Sequence, residues 1–212
     1  MPAILRRLEK VPAKKLALSV VLIGAAAALA GPGAFATFTS SVNGGPQSIT
    51  TGTVIIALGA TGASTNRLNI NATGVAPGDT IQRSVDLSNT GSLNLASITL
   101  GVSASPSSAL DTDGANGLQT TVQSCSVAWT EAGPPYTYTC SGTSASVLAS
   151  TSVLGLKTTP ASLSPLASLT AGQTDHLLVT LTLPTTADNT FQNLTSTLTY
   201  AFTGTQRAAQ SD

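Results

Sequence analysis

Two cysteines are the first candidates for chemistry in this chain of 212 residues. Cys125 and Cys140 flank a turn signal that contains Pro134-Pro135. Strands that pair across this turn would bring the two sulfur atoms face to face. The export signal described below sends the protein to a compartment where thiols oxidise, so we predict a disulfide across a hairpin. Two buried free thiols are the alternative.

The remaining residues give little support for a catalytic or metal-binding role. His176 is the single histidine, and it lies opposite to the inward positions of its strand, which predicts a surface residue. One histidine cannot build the usual two-histidine zinc site, and the chain has neither an HExxH helix nor a GxSxG elbow. The DTDG stretch at 111–114 resembles part of a calcium loop but lacks the later acidic ligand, which favours a solvated turn. We therefore predict no catalytic residue, no metal site and no cofactor.

The N-terminus has the three parts of a secretory signal peptide. Residues 1–15 are basic, and residues 16–30 form an apolar run that is short for a membrane span. A small-x-small pattern then predicts cleavage between Ala36 and Thr37. We expect a secreted protein, extracellular or on the cell surface, that touches the membrane only through its signal peptide. An uncleaved anchor is the alternative.

The charge distribution excludes some classes of partner. From residue 37 onward the chain has four basic and eight acidic residues, which gives a formal charge of −4. Nucleic acids and anionic lipids attract basic surfaces, so neither is an expected partner. Charged residues are only 8% of the chain, against about a quarter in ordinary soluble domains. Such a surface allows close packing against copies of itself, but it is equally typical of an export-adapted surface.

Apolar alternation predicts that the mature chain is all-β. Residues 176–183 and 194–202 alternate cleanly, and a phase change within 93–102 predicts a bulge near Ala96. Eight to ten short strands with turn signals indicate a two-sheet sandwich of the jelly-roll or Greek-key kind, preceded by the signal-peptide helix. The predicted parts are a signal peptide at 1–36, an N-terminal arm at 37–51, a sandwich at 52–207 and a polar tail at 208–212.

Three regions of the predicted sandwich are less regular. Residues 118–129 and 136–141 are predicted as two strands joined by the Pro-Pro turn. Residues 103–117 indicate a loop with room for one helical turn, and residues 150–170 fit a helix or a strand edge equally well.

Several motifs resemble the TasA/camelysin (CalY) family of exported bacterial proteins. The run AFATFTSSV at 34–42, followed by TTGTVIIAL at 50–58, is similar to the start of that family. The runs VAPGDT at 75–80 and LSNTGSL at 87–93 resemble its PGD…NxGSL segment. The C-terminal half, with LTLP, ADNTFQ and YAFTGTQR, resembles actinobacterial members.

The resemblance implies a secreted jelly-roll protein with a SipW-type signal peptide. Many such proteins are biofilm-matrix subunits that assemble into fibres, in which the arm of one subunit completes a sheet of the next. Some relatives are labelled metallopeptidases, which makes a secreted metallopeptidase one alternative function. A cell-surface adhesion or binding module is another, but it would prefer exposed aromatic residues, whereas the pattern here predicts mostly core positions for them.

The arm also has the chemistry that strand addition requires. Residues 37–51 are polar, β-branched and uncharged, so they can pair with the open edge of a sheet at little electrostatic cost. Phe38, Val42 and Ile49 are the apolar residues expected to fill pockets on the acceptor. The expected partners are copies of the same chain, together with other matrix or cell-wall components. Pairing of the arm within its own subunit, or an arm without order, is the alternative.

Overall fold

The computed structural model describes the backbone of residues 39–43 and, in full, residues 54–208. The described chain is a sandwich of two five-stranded antiparallel sheets, which confirms the predicted all-β class. Sheet A has the order β1–β12–β5–β10, with β3 also on β12, and sheet B has the order β2–β4–β11–β6–β9. The strands of sheet A are β1 (Thr39–Asn43), β3 (Ile70–Thr73), β5 (Leu95–Ala104), β10 (Ala161–Ser162) and β12 (Thr195–Gln206). Those of sheet B are β2 (Ile56–Leu58), β4 (Thr80–Asn89), β6 (Gln119–Cys125), β9 (Ser144–Ser152) and β11 (Thr174–Thr182).

The core lies between the facing sides of the two sheets. Successive side chains of a strand point to opposite faces, so alternate residues enter the core. In β11 these residues are Leu177, Val179 and Leu181, and in β12 they are Leu198, Tyr200 and Phe202, all at most 1% exposed. The alternation predicted for both strands is therefore confirmed.

Strand β5 contains the predicted bulge. Thr205 of β12 lies opposite Ser97, but the next residue, Gln206, lies opposite Leu95, so Ala96 is the extra residue. An extra residue reverses the phase of the strand. For this reason Leu95 and Ile98, three positions apart, are both buried in the core.

Short helices occupy two of the three less regular regions, residues 103–117 and 150–170. The loop after β5 contains one helical turn, α1 (Ala109–Thr112), as predicted. Residues 150–170 contain the end of β9, helix α2 (Val153–Thr158), strand β10 and a 3₁₀ turn at Ala167–Leu169. A second 3₁₀ turn, Asn189–Phe191, precedes β12. None of the helices in the described part of the chain has the length and apolar character that crossing a membrane requires.

A buried carboxylate fixes the loop that carries α1. The side chain of Asp111 is fully buried and forms an ion pair with Lys157 of α2. It also accepts hydrogen bonds from Ser107, from the backbone N–H of Ser108 and from Ser196 of β12. Burial opposes its ionisation, but the bonds from Lys157 and the serines outweigh burial and lower the pKa of Asp111 from 3.8 to about 2. Asp111 therefore joins α1, α2 and β12.

The DTDG stretch thus divides into two different environments. The predicted solvated turn is right for Asp113, whose carboxylate accepts the backbone N–H groups of Ala115 and Asn116. It is wrong for Asp111, because Lys157, 46 residues later, supplies the countercharge that makes burial tolerable.

The hairpin around the Pro-Pro turn is shorter than predicted. It consists of β7 (Thr130–Ala132) and β8 (Thr137–Thr139), which pair only with each other. The expected long strand at 118–129 ends at Cys125 as β6 and pairs with β11 and β9 instead of with residues 136–141. The distant strand β11 and the strand that follows the hairpin, β9, therefore take the place of the predicted partner.

Candidate functional site

Strand β1 forms one edge of sheet A, and its backbone pairs with β12. The antiparallel register runs from Thr39 opposite Thr205 to Asn43 opposite Ala201. The opposite edge of β12 is paired with β5 along almost its whole length. Strand β1 is therefore held by a single ladder of five residue pairs.

Strand β3 lies on the same edge of β12 as β1. It pairs with the first residues of β12, from Thr195 opposite Thr73 to Leu198 opposite Ile70. Only Thr199 and Tyr200 separate the part of β12 that β3 covers from the part that β1 covers. We call the segment Ala201–Thr205 the acceptor segment, because it receives β1.

The acceptor segment alternates between the core and the outside. Phe202 is fully buried and lies at the register position opposite Val42. Gly204 allows β12 to approach the other sheet, since a Cβ atom there would lie 3.3 Å from side-chain carbons of Ile56 and Leu95. Removal of β1 would leave unpaired those backbone groups of this segment that face β1, while the pairing with β5 would remain.

The predicted arm is only partly described. Val42 lies in β1, while Phe38 and Ile49 lie outside the described residues, as do Ala36 and Thr37 of the predicted cleavage site. The described portion, Thr39–Asn43, pairs within its own chain. The sequence left open strand addition to another copy, pairing within the subunit and an arm without order. In the single chain, the described portion of the arm pairs within the subunit.

The structure contains the disulfide between Cys125 and Cys140 that the sequence predicts. The two Cα atoms are 5.8 Å apart, and the bridge closes the base of the β7–β8 hairpin. Cys125 is the last residue of β6, so the bridge attaches the hairpin to sheet B.

The hairpin carries one charged side chain, Glu131, and two aromatic ones, Tyr136 and Tyr138, that lie outside the core. Glu131 of β7 accepts two hydrogen bonds from Arg67, at 3.0 and 2.7 Å, and a third from Tyr138 of β8 at 2.8 Å. The bond from Arg67 is the main reason why the pKa of Glu131 is lowered. Trp129 donates its indole N–H to the backbone carbonyl of His176 in β11, at 3.0 Å. Hydrogen bonds to Arg67 and to the backbone of β11 thus fix the hairpin, and Trp129 beside it, against sheet B.

The positions of these aromatic residues correct the prediction that most aromatics are in the core. Tyr200, Phe202 and Phe191 are buried, but Trp129, Tyr136 and Tyr138 are half-buried on or beside the hairpin. Alternation alone could not distinguish the two groups, because a half-buried residue gives the same pattern on either face of a sheet.

The described residues do not assemble a metal site. No group of three or more histidine, cysteine, aspartate or glutamate side chains converges anywhere in the described part of the chain. The Nδ1 atom of His176 lies 2.7 Å from a carboxylate oxygen of Asp86, and both side chains are half-buried. His176 is therefore on the surface side of β11, as predicted, and is paired with a carboxylate.

These features define an antiparallel β-sandwich in which β1 lies at one edge of a sheet. The camelysin metallo-endopeptidase family model matches residues 12–211, so the chain belongs to the camelysin family, as the sequence motifs indicated. Members of this family are secreted or cell-surface proteins. None of the curated proteins compared with the chain matches it.

The family description implies a catalytic metal. A catalytic zinc site needs three protein ligands that converge on one point, usually with histidine among them. The described residues offer one histidine, engaged by Asp86, and no third ligand near this pair. The residues that the structure describes therefore do not fit a catalytic metal.

Proposed function

We propose that the mature chain is a structural subunit of an extracellular matrix, and that it forms fibres by exchange of β1 between copies. In the fibre, β1 of one subunit leaves its own β12 and pairs with the acceptor segment of the next. Membership of the camelysin family supports the extracellular setting. The observation that carries the proposal is the attachment of β1 as an edge strand through one ladder on β12.

When an edge strand is exchanged between copies, the contacts that it loses in its own chain are replaced by the same contacts in another copy. Strand β1 of a second copy can form the same ladder with Ala201–Thr205 as the chain's own β1 forms. The enthalpy of the ladder is therefore recovered in trans, and the balance depends on concentration and on the freedom of the connection. This connection, residues 44–53, is ten residues long and can reach about 35 Å when it is extended. Such a reach is sufficient for β1 to extend to a neighbouring subunit.

The direction of exchange decides whether fibres or dimers form. Reciprocal exchange between two copies closes a dimer, whereas donation from each copy to the next leaves one free β1 and one free acceptor segment at the ends. The open arrangement grows without limit. The low charge of the mature chain permits it, since neighbouring subunits repel one another weakly.

Deletion of residues 37–47 tests the proposal. The truncated chain lacks β1 but keeps the acceptor segment, so it should stay monomeric and form no fibres by itself. Mixed with intact mature chain at one part in ten, it should shorten the fibres markedly, because it accepts a strand but cannot donate one. Electron microscopy and size-exclusion chromatography measure both effects. A chain that lacks residues 208–212 is the control and should behave like the intact protein.

The outcome can contradict the proposal in a simple way. If the truncated chain forms the same fibres as the intact chain, β1 is not the donor strand. If it forms none but also leaves the length of mixed fibres unchanged, the acceptor segment is not where β1 binds.

We also propose that the protein is not an enzyme. The support is the donor set described above, with a single histidine bound to Asp86. Purified mature protein should cleave casein no faster than buffer, with or without added zinc. Zinc-dependent cleavage that is lost in His176→Ala but kept in Asp188→Ala, a surface control, would contradict this.

A further inference from the structure

Two shallow clefts meet at the side chains of Arg83 and Tyr136, beside the tip of the β7–β8 hairpin. One measures about 310 Å³ and the other about 250 Å³. These volumes lie at or just below the small end of the range for small-molecule sites, and they suit one ligand unit better than a large cofactor. The first cleft is also lined by Thr80, Gln82, Pro134 and Pro135. The second is also lined by Arg67 and Asn69. We call the two together the Arg83 cleft.

The fold holds the walls of this cleft in place from several sides. The disulfide closes the base of the hairpin, and Glu131 ties β7 to Arg67. The guanidinium carbons of Arg67 and Arg83 lie 4.6 and 5.4 Å from the centre of the Tyr136 ring, within the distance for cation–π attraction. Tyr136 is therefore fixed between the clefts, and a ligand would meet a preformed surface.

Arg83 gives the cleft an excess positive charge. Arg67 is neutralised by its two bonds to Glu131, but Arg83 has no carboxylate within ion-pair distance among the described residues. One of its N–H groups donates to the backbone carbonyl of Gln82 at 2.7 Å, which leaves other donors of the guanidinium for a ligand.

Two guanidinium groups and one carboxylate set the local charge of the cleft. Glu131 is bonded to Arg67 and also attracts Arg83, so it offsets one of the two positive charges and leaves a formal charge of +1. In a mature chain with a formal charge of −4, the cleft is thus a local cationic site. Such a site attracts an anionic ligand.

We propose that the Arg83 cleft binds the carboxylate of a uronic acid unit in an acidic polysaccharide. A guanidinium presents a planar fork of donors that matches a carboxylate. The side chains of Thr80, Gln82 and Asn69 supply hydroxyl and amide groups suited to sugar hydroxyls. The rings of Pro134 and Pro135 supply apolar surface for the C–H face of a sugar. Because the clefts are open, a polymer can continue past the unit that is bound.

Oligogalacturonate is the probe for this site, with neutral dextran of similar length as the reference. Isothermal titration of the monomeric mature protein should show binding of oligogalacturonate that weakens with salt, and no binding of dextran. Arg83→Gln and Tyr136→Ala should each weaken binding at least tenfold. Arg207→Gln removes the same charge from the other sheet, after β12, and should change the affinity less than twofold.

The other outcomes would overturn the assignment. Equal weakening by Arg83→Gln and Arg207→Gln would mean that the chain responds only to net charge. Tighter binding of poly-aspartate or of inorganic phosphate than of oligogalacturonate would show that the ligand is not a sugar acid. Near-ultraviolet circular dichroism should show that both cleft variants keep the folded hairpin, and fibre formation, measured in parallel, should be unchanged in them. The cleft and the exchange of β1 can therefore fail separately.

Discussion

A mature chain with Ser41→Cys and Thr203→Cys should be locked as a monomer when it is oxidised before assembly. The two residues are register partners across β1 and β12, and Thr203 lies on the outward side of sheet A between Phe202 and Gly204. Directly opposite residues of an antiparallel pair have Cα atoms about 4.5 to 5.5 Å apart, which a disulfide can bridge. Because the lock keeps β1 on its own chain, fibre formation should fall to the detection limit of light scattering and microscopy.

The same variant makes the opposite prediction when it is oxidised after assembly. The new disulfide should then join β1 of each subunit to β12 of its neighbour, and a non-reducing gel should show a ladder of covalent multimers. Reductant should convert the covalent multimers of this sample back to single chains on the gel. In the sample that was oxidised before assembly, reductant should free β1 and allow fibres to form. Thr203→Cys alone, treated with the same oxidant and reductant, controls for the native Cys125–Cys140 bridge. Fibres that form equally well from the locked chain would refute the exchange.

Asp111→Ala should lower the free energy of unfolding by about 3 to 5 kcal/mol and the melting temperature by about 10 °C. The substitution removes the carboxylate that joins α1, α2 and β12, and it leaves the ammonium group of Lys157 and the hydroxyl of Ser196 without their partner. Thermal and urea unfolding measure the loss. Asp113→Ala, two residues away on the surface, is the matched control and should cause a much smaller loss.

The same carboxylate predicts how stability depends on pH. The folded pKa of Asp111, about 2, lies below its ordinary value of 3.8, so the folded state favours the ionised form. Its contribution is complete above about pH 4 and is lost as the pH falls towards 2, which amounts to about 2 kcal/mol. Asp111→Asn should abolish this part of the acid dependence. An unchanged slope between pH 4 and pH 2 in that variant would show that other groups cause it.

Local sequence patterns predicted those elements whose side chains alternate without interruption. Strands β11 and β12 have such alternation, and the phase change around Ala96 marked the bulge. The predicted long hairpin around Pro134 was wrong because β6 pairs with β11, which lies far away in the sequence, and with β9, which begins beyond the hairpin. Pairing of this kind depends on the tertiary fold and leaves no local signal.

The candidate sites were predicted less completely than the fold. Cys125 and Cys140 could be paired from their spacing and their compartment, but the partnership of Asp111 with Lys157 crosses 46 residues. The Arg83 cleft is lined by the start of β4, by residues 61–69 and by the hairpin, and nothing in the local sequence of Tyr136 indicates this. For the arm, the sequence could not separate pairing within a chain from pairing between chains, since both use the same backbone groups.

In a fibre formed by the proposed exchange of β1, strand β3 would act as a stop that limits how far an incoming strand can slip along β12. It occupies the first part of the β12 edge, and only Thr199 and Tyr200 lie between it and the acceptor segment. An incoming β1 that slipped towards β3 by more than two residues would collide with Ile70. A slip of one residue would turn its side chains to the wrong face. Slip of a junction towards β3 should therefore be limited to two residues, and fibre diffraction of the proposed fibres should show a sharp axial period.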